Sequence, residues 1–564
     1  MNTYFDIFRN PIMKIAAIAC ISLLFTNCEK SDSNSETVND GTLLKVNVSG
    51  IENQATVKEV ASSSKPQLSA KASIKAIETS VISGDVEALM SLQEDESVGN
   101  STGIRSGSSE IKSSSNQTKA ANSLMGPTVK YRILIYTQDG TLVHNKVGNT
   151  GTDPVLEVFK GWTYKWYAFS INETAGVPNV EANGLVSKAN LTNKDVLYAS
   201  GTITTSPGSN FLNIVFKRKT ANIQAKINVR GMFGTINDGT LVSLNDASSQ
   251  GNALMTMGDL NPLTGTFTNI SAVNASVSGA AMPIDNATEG STVKVANFYT
   301  LNTSNIPAST LKVRLHPLKI QLDDTRERAF TSLSYTLANT LTPSIGSRHT
   351  ASLRLIESPI LVKGIYWART NLVYNANKLD KYRLKSNPGG TKVATKDQDF
   401  WNWMSATPTG APSNVDACSK IYPEGTWKMP DAQTWQALGQ PDGNQERMGL
   451  IFGADYGFFW NKTTGYPDNL AYDDNRLYIS FGGYRTAGGA IQQSPAGLLL
   501  GLYATGQCHY WTSTEQNSTK GISVQAEMSK LLWGINWGGI TYPNADKTQG
   551  RNVRCIRAKN NPVS

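Results

Sequence analysis

A mainly β protein is expected, and three observations point to it. Only 17% of the 564 residues are charged, while Gly is abundant beside Ser, Thr, Asn and β-branched residues. That composition favours strands over helical bundles. Between residues 129 and 355, short runs of alternating apolar and polar residues recur between turn residues. This is the pattern of sandwiches rather than of a parallel sheet with helices. Nine of the eleven tryptophans lie after residue 360, which marks a separate domain with its own core. The length allows three domains.

At the N-terminus, Arg9 and Lys14 precede an apolar run that ends in Thr26, Asn27 and Cys28. A basic start, a short apolar stretch and small polar residues form a secretory signal over residues 1–27. The run is too short for the roughly 20 residues of a membrane-spanning helix; an ordinary soluble secreted chain is the other reading. The segment resembles a bacterial lipoprotein box, with Phe25 and Asn27 departing from the usual leucine and small residue. The resemblance implies cleavage before Cys28 and a lipid on Cys28, which attaches the chain to the outer membrane. Residues Glu29 to Glu36 are polar and partly acidic. They suit a tether that buries no apolar surface, and they resemble surface-export signals of Bacteroidota lipoproteins.

Strand signals follow in order. Residues 43–52 alternate as a half-buried strand does. Residues 61–123 are rich in Ser, Lys and Asn; Val86 to Leu92 is read as a short helix capped by Asp85, and residues 99–123 as an exposed loop. Val129 to Tyr136 and Leu142 to Val147 are joined by a turn at Gln138-Asp139-Gly140. Pro154 to Phe159, Lys165 to Ile171, Leu212 to Phe216 and Ile223 to Val229 continue the series. Leu311 to Leu315 and Thr350 to Leu355 close it.

The net charge of +8 is small for this length. The densest basic run, Lys217-Arg218-Lys219, reads as a solvated strand end, so nucleic-acid binding is unsupported. Cys418, Cys508 and Cys555 are the cysteines outside the signal, and an oxidising compartment permits one disulfide with one thiol left over. His144, His316, His349 and His509 are scattered. No catalytic residues, no metal site and no cofactor are expected.

Tyr131 to Gly140, followed by Gly161 to Asn172 with Tyr164, Trp166, Ala168, Ser170 and Asn172 in alternation, resembles the fimbrillin-like family of Bacteroidota pilins. Val215 to Ile223 looks like the join between that family's two sandwich domains, with Arg218 or Lys219 where a His is usual. The match spans roughly residues 40–357. It implies two fimbrillin-like β-sandwiches, at 28–218 and 219–357. Polymerising members lose an N-terminal strand by cleavage after an Arg and then accept a strand from the next pilin subunit, by strand addition. Here Leu43 to Ile51 is the candidate removable strand. Arg105 is the candidate protease site, in a loop a protease can reach, although an ordinary loop arginine is the simpler reading.

The last third contains Gly364 to Leu372, Trp401-Asn402-Trp403, Asp416 to Pro430, a short helix from Asp431 to Leu438 with Asp431 as cap, Gly482 to Arg485, Tyr510 to Thr514 and Asn552 to Arg557. This ordered series resembles the FISUMP domain of bacterial surface proteins, giving residues 358–564 as a third domain. The resemblance implies a C-type-lectin-like mixed α+β fold. It also implies a bridge between Cys418 and Cys555, with Cys508 as a buried thiol, though Cys508 could instead pair with either.

A glycan or glycoprotein is the expected class of ligand for such a head. Trp533 and Trp537 are the candidate stacking residues, although tryptophan is more often core. Gln440-Pro441-Asp442 matches a calcium-dependent galactose motif, but it directly follows the helix and its partner motif reads Trp460-Asn461-Lys462. Lys462 cannot ligate calcium as a carboxylate would, so a turn is expected. Asp473-Asp474-Asn475 reads as an acidic turn. Sulfatase-modifying oxidases share this fold class but need a reactive cysteine pair, which the chain lacks, and no phosphate loop, nucleophile elbow or HExxH occurs. The residues after Cys555 make a poor donor strand. The expectation is a fimbrial tip subunit or adhesin that accepts a strand and supplies none; the alternative is a non-polymeric surface lipoprotein that binds glycans.

Overall fold

The computed structural model describes residues 41–52, 79–84, 86–95, 122–323, 326–385, 399–448, 454–467, 475–492, 496–498, 503–531 and 534–559. The chain is mainly β. Among the described residues no helix is long and apolar enough to cross a membrane.

The first unit is a seven-stranded sheet. Its order is Leu142–Asn149, Lys130–Thr137, Thr163–Ser170, Leu197–Thr204, Ser209–Arg218, Leu43–Ile51, Val155–Glu157. Alternation sends Tyr131, Ile133, Ile135, Tyr164, Trp166 and Ala168 inward, where they meet Leu44, Val46, Leu212, Ile214 and Phe216 in one core. The two edges come together: His144 Nε2 donates to the Glu157 carbonyl at 2.7 Å. Gly201 is required beside Trp166, because a Cβ there would lie 2.8 Å from the indole.

The second unit is a sandwich. A five-stranded sheet runs Val293–Thr300, Ala221–Gly231, Arg348–Glu357, Val86–Asp95, Thr79–Ser83. It packs on the four-stranded sheet Ser276–Ser278, Leu241–Asp246, Leu311–Leu315, Leu333–Thr336 and on a three-stranded sheet that includes Leu318–Leu322. Ile223, Ala225 and Ile227 of one layer share a core with Val242, Leu244 and Val313 of the other.

This sheet corrects the reading of residues 86–92. They form a strand, not a helix, paired along its length with Arg348–Glu357 and with Thr79–Ser83; Asp85 lies outside the described residues. Glu87, Ala88, Leu89 and Met90 favour helix locally, but propensity is a weak prior that tertiary context overrides. Here Val86 to Met90 are all buried, which a two-sided strand achieves and a surface helix does not. Gly84, with φ +61°, supplies the left-handed turn residue of the hairpin. The hairpin also lies within the span 28–218 expected for the first unit, yet Val86, Ala88 and Met90 sit in the second core.

The head begins with Ile360–Val362 paired to Ile365–Trp367, in a sheet completed by Ile556–Arg557 and Trp427–Lys428. A long hairpin, Tyr503–Glu515 with Lys520–Leu531, forms its other main element. The helix Ala432–Ala437 is capped by Asp431, whose Oδ1 accepts from Thr434 N at 2.7 Å. Its Trp435 packs on Trp367 and Tyr510, with ring centroids 4.9 and 5.6 Å away. Trp367, Trp401, Trp427, Trp435, Trp460 and Trp511 are all fully buried, so the late tryptophans build a core. Cys418 and Cys555 are joined by a disulfide inside it, and Cys508 is a buried free thiol.

Candidate functional site

Leu43–Ile51 is the element whose geometry best suits exchange. It runs parallel to Ser209–Arg218 from Leu43 opposite Ser209 to Ile51 opposite Phe216. On its other side it meets the three residues Val155–Glu157 near its start and, at its end, Ser123, which exchanges backbone bonds with Ile51 at 2.8 and 2.9 Å. Leu44, Val46 and Ile51 are buried in the first core. Lys45 faces outward over the Phe211 ring, and Asn47 Nδ2 donates to Asn213 Oδ1 at 2.9 Å. A strand held by main-chain bonds along its edges and by alternate apolar side chains on one face has the geometry of strand addition. Without it, the backbone groups of Ser209–Arg218 that face it would lose their partners.

A second site is the joint between the sandwich and the head. Arg557 pairs with Glu87, and Arg557 Nη2 also donates to the Glu357 carbonyl at 3.0 Å. The Arg557 guanidinium lies 4.1 Å above the Trp427 ring. Burial lowers the Arg557 pKa to about 10, against the pull of Glu87. Ser358 Oγ and Arg369 Nη2 both donate to the Gly84 carbonyl, at 2.7 and 3.3 Å. Arg230 bonds Asp380 through Nε and Nη2, at 3.2 and 2.8 Å, and stacks 4.0 Å over Tyr422. Charged side chains taken from water must be paired, and here the pairs cross between the two bodies. The sequence reading did not find these residues: Glu87 inside an apolar run resembles one polar face of a helix, and its partner is 470 positions away.

The expected site residues fall as follows. Cys28, Arg105 and Trp533 lie outside the described residues. Trp537 is half-buried and packs on Phe458 and Phe481 with centroids 5.6 and 5.7 Å away. Its ring is thus engaged by the core. The Gln440-Pro441-Asp442 segment is tied into a turn: Asp442 Oδ2 accepts from Asn461 N at 2.7 Å, and the Gln440 carbonyl accepts from Trp460 Nε1 at 3.1 Å. Arg218 departs from the solvated reading. Its Nε lies 3.4 Å from Asp195 Oδ2, with both side chains largely buried. No group of three or more His, Cys, Asp or Glu that could hold a metal occurs among the described residues.

His509 and Arg551 form a polar pair within the head. His509 Nδ1 accepts from Arg551 Nη1 at 2.7 Å, and Nε2 donates to Gln507 Oε1 at 3.1 Å. Burial, reinforced by the Arg551 charge, drops the His509 pKa to about 3. Burial raises the Cys508 thiol pKa to about 12, against Arg554 and Arg551. Cys508 and His509 are consecutive in one strand, so their side chains point to opposite faces, and the thiol is held protonated whereas nucleophilic chemistry uses the thiolate.

No family model matches the chain, and no curated protein matches it. Solved structures do. A candidate cell adhesion protein from Bacteroides fragilis is 15% identical, aligned over 43% of this chain and 92% of its own, with a TM-score of 0.29. A candidate cell adhesion protein from Bacteroides ovatus is 16% identical over 41% of this chain and 86% of its own, TM-score 0.24. The fimbrial anchor protein Mfa2 from Porphyromonas gingivalis is 12% identical over 39% of this chain and 78% of its own, TM-score 0.18. Each alignment leaves more than half of this chain unmatched.

Proposed function

We propose that this protein reaches the cell surface as a lipoprotein, anchored through Cys28 until it is processed, and serves as a fimbrial subunit or adhesin. Its first unit accepts a strand from a neighbouring subunit, and its head, residues 358–564 with a C-type-lectin-like fold, recognises the target. The observation that carries the reading is the parallel seat of Leu43–Ile51, with Leu44, Val46 and Ile51 filling the core from the sheet's margin. On the other side, Ile556–Arg557 is fixed in the head by pairing with Trp427–Lys428 and by Glu87, so these residues donate no strand. That arrangement suits a tip subunit.

Processing after Arg105 would sever two elements from the rest of the chain. Besides Leu43–Ile51, the hairpin Thr79–Ser83/Val86–Asp95 lies upstream of the cut, and that hairpin supports both the second core and the head joint. Strand exchange in this protein therefore requires the hairpin either to stay bound after cleavage or to leave a second groove beside Arg348–Glu357.

The test is to shear fimbriae from producing cells and ask whether this chain co-purifies with them, and to sequence its N-terminus. A chain beginning at Ser106 within the fimbriae is the expected result. A chain that begins only at lipidated Cys28 and never accompanies fimbriae would overturn the fimbrial role and leave the non-polymeric surface lipoprotein.

A further inference from the structure

The two poles of the first unit differ. Leu43–Ile51 and Ser209–Arg218 run in parallel from one pole to the other. At the far pole the chain passes from Arg218 into Ala221–Gly231 of the second unit. The near pole gathers the start of Leu43–Ile51 and the turns at 138–141, 159–162 and 205–208. Val158 N donates to the Thr42 carbonyl at 3.1 Å, Leu43 N to the Gly208 carbonyl at 3.0 Å, and Gly161 N to the Thr205 carbonyl at 2.8 Å. A Cβ at Gly140, Gly161 or Gly208 would meet nothing within 4 Å beyond its chain neighbours, so these turn tips project from the rest of the protein.

This pole holds large apolar side chains in water. Trp162 is 47% exposed, Leu142 47%, Val155 54% and Phe211 64%. Lys45 pairs with both Val155 and Phe211, so the three form one row on the outer face, with the Lys45 ammonium 5.7 Å over the Phe211 ring. Leu142 opens its strand opposite Tyr136. The Trp162 ring is braced without being buried, its centroid 5.1 Å from that of Phe159 and 6.3 Å from that of Tyr164. None of the four stands more than two residues from a strand end at this pole. They are therefore confined to a band about 7 Å deep along the strand axis.

What covers this pole follows from where the chain enters it, a step that rests on the lipid proposed for Cys28. Thr42 is 14 positions after Cys28, and that length of chain spans at most about 50 Å. The near pole is thus held close to the acyl chains, while the far pole carries the second unit. Lys45, Lys160 and Lys165 share the near pole with Asp139 and Glu157, so no field of one sign draws a charged partner. Projecting turn tips are a shape that fluid lipid closes around, whereas a folded partner would need a matching cleft. Tryptophan settles at the lipid–water boundary, and a lysine stem lies along apolar surface with its head in water. Apolar faces that enter this boundary reach about 5–10 Å deep, which matches the depth of the band. We propose that, in the anchored form, this pole docks on the membrane surface, with Trp162, Leu142, Val155 and Phe211 entering the headgroup region.

The test mixes the chain from Glu29 to Ser564, which lacks the lipid, with phosphatidylcholine vesicles and separates them by flotation. The wild-type chain is expected to float with the vesicles. Trp162→Ser with Phe211→Ser should lower its partitioning about tenfold or more. Leu124→Ser should leave it unchanged: Leu124 is 80% exposed, but it follows Ser123, which pairs with Ile51 at the far pole. If Trp162→Ser disturbs the fold, Phe211→Ser alone decides, with a loss of about threefold. Absence of flotation, equal binding by wild type and the pole variants, or an equal loss in Leu124→Ser would overturn the proposal. So would pole variants that float normally yet no longer co-purify with sheared fimbriae, which would make the pole a contact between subunits. Mass spectrometry of Cys28 from producing cells keeps the two readings apart. An unmodified Cys28 would overturn both, and a lipidated Cys28 without flotation would overturn the pole contact alone.

Discussion

The Glu87 carboxylate and the Arg557 guanidinium, 470 positions apart in sequence, form an ion pair in which both side chains are almost wholly removed from solvent, at 0% and 2% exposure. The pair closes the joint between the second unit and the head. Removing one partner of a buried pair leaves an uncompensated charge and typically costs about 3–5 kcal/mol, whereas replacing both with apolar groups is often neutral. Glu87→Leu and Arg557→Met are therefore each expected to destabilise the protein by about that amount, and the two together by much less. Chemical denaturation of the two singles and the double closes the cycle; additive losses would show that the two residues act independently.

The ladder between Val86–Asp95 and Arg348–Glu357 predicts the behaviour of a nicked chain. With a site-specific protease sequence inserted at residue 105 and cleaved, the N-terminal piece should co-elute with the remainder on size exclusion without denaturant, because ten backbone positions are paired across that ladder. Its spontaneous loss would mean that the hairpin contributes little, and would favour a protein that sheds the whole N-terminal segment on processing.

His509 gives a pH signature. Its folded pKa, near 3, lies below the roughly 6.5 of an unfolded histidine. The unfolded chain thus takes up the proton first, and stability is lost as pH falls from about 6.5 towards 3, by up to about 1.4 kcal/mol per pH unit. His509→Gln should flatten the difference in melting temperature between pH 7 and pH 4 relative to wild type. Parallel curves for the two proteins would count against a buried neutral imidazole.

Cysteine chemistry provides a further check on the head. In a chain begun after Cys28, Cys508 is the remaining free thiol. Its raised pKa and burial predict no reaction with a thiol-titrating reagent at pH 8 in the native state and one equivalent after denaturation.

Cys418 and Cys555 close a loop with a sequence separation of 137. Cys418→Ala with Cys555→Ala is expected to cost roughly 4–5 kcal/mol on the chain-entropy account. The loss would be read in tryptophan fluorescence, since Trp401, Trp403, Trp427 and Trp511 share that core.

Periodicity carried most of the strand reading. The run expected at Val129 to Tyr136 is Lys130–Thr137, and the one expected at Lys165 to Ile171 is Thr163–Ser170. The helix after Asp431 was legible because a cap and its apolar residues lie within one turn of each other. What stayed hidden depends on distant partners. Val86 to Leu92 carries helix-forming residues, and nothing near it announces that Arg348–Glu357 will pair with it. Arg218 reads as solvated until Asp195 is brought against it. Trp537 could be named from composition, but its packing on Phe458 and Phe481 could not.

The parallel seat of Leu43–Ile51 also has a mechanical meaning. Tension entering at the Leu43 end, as from a membrane tether, acts along the strand axis and loads the whole run from Leu43 opposite Ser209 to Ile51 opposite Phe216 together. Such shear resists rupture better than peeling the same pairs apart one at a time. A pulling experiment that grips the N-terminus and the head should find the first unit yielding at higher force than when it is gripped across the sheet.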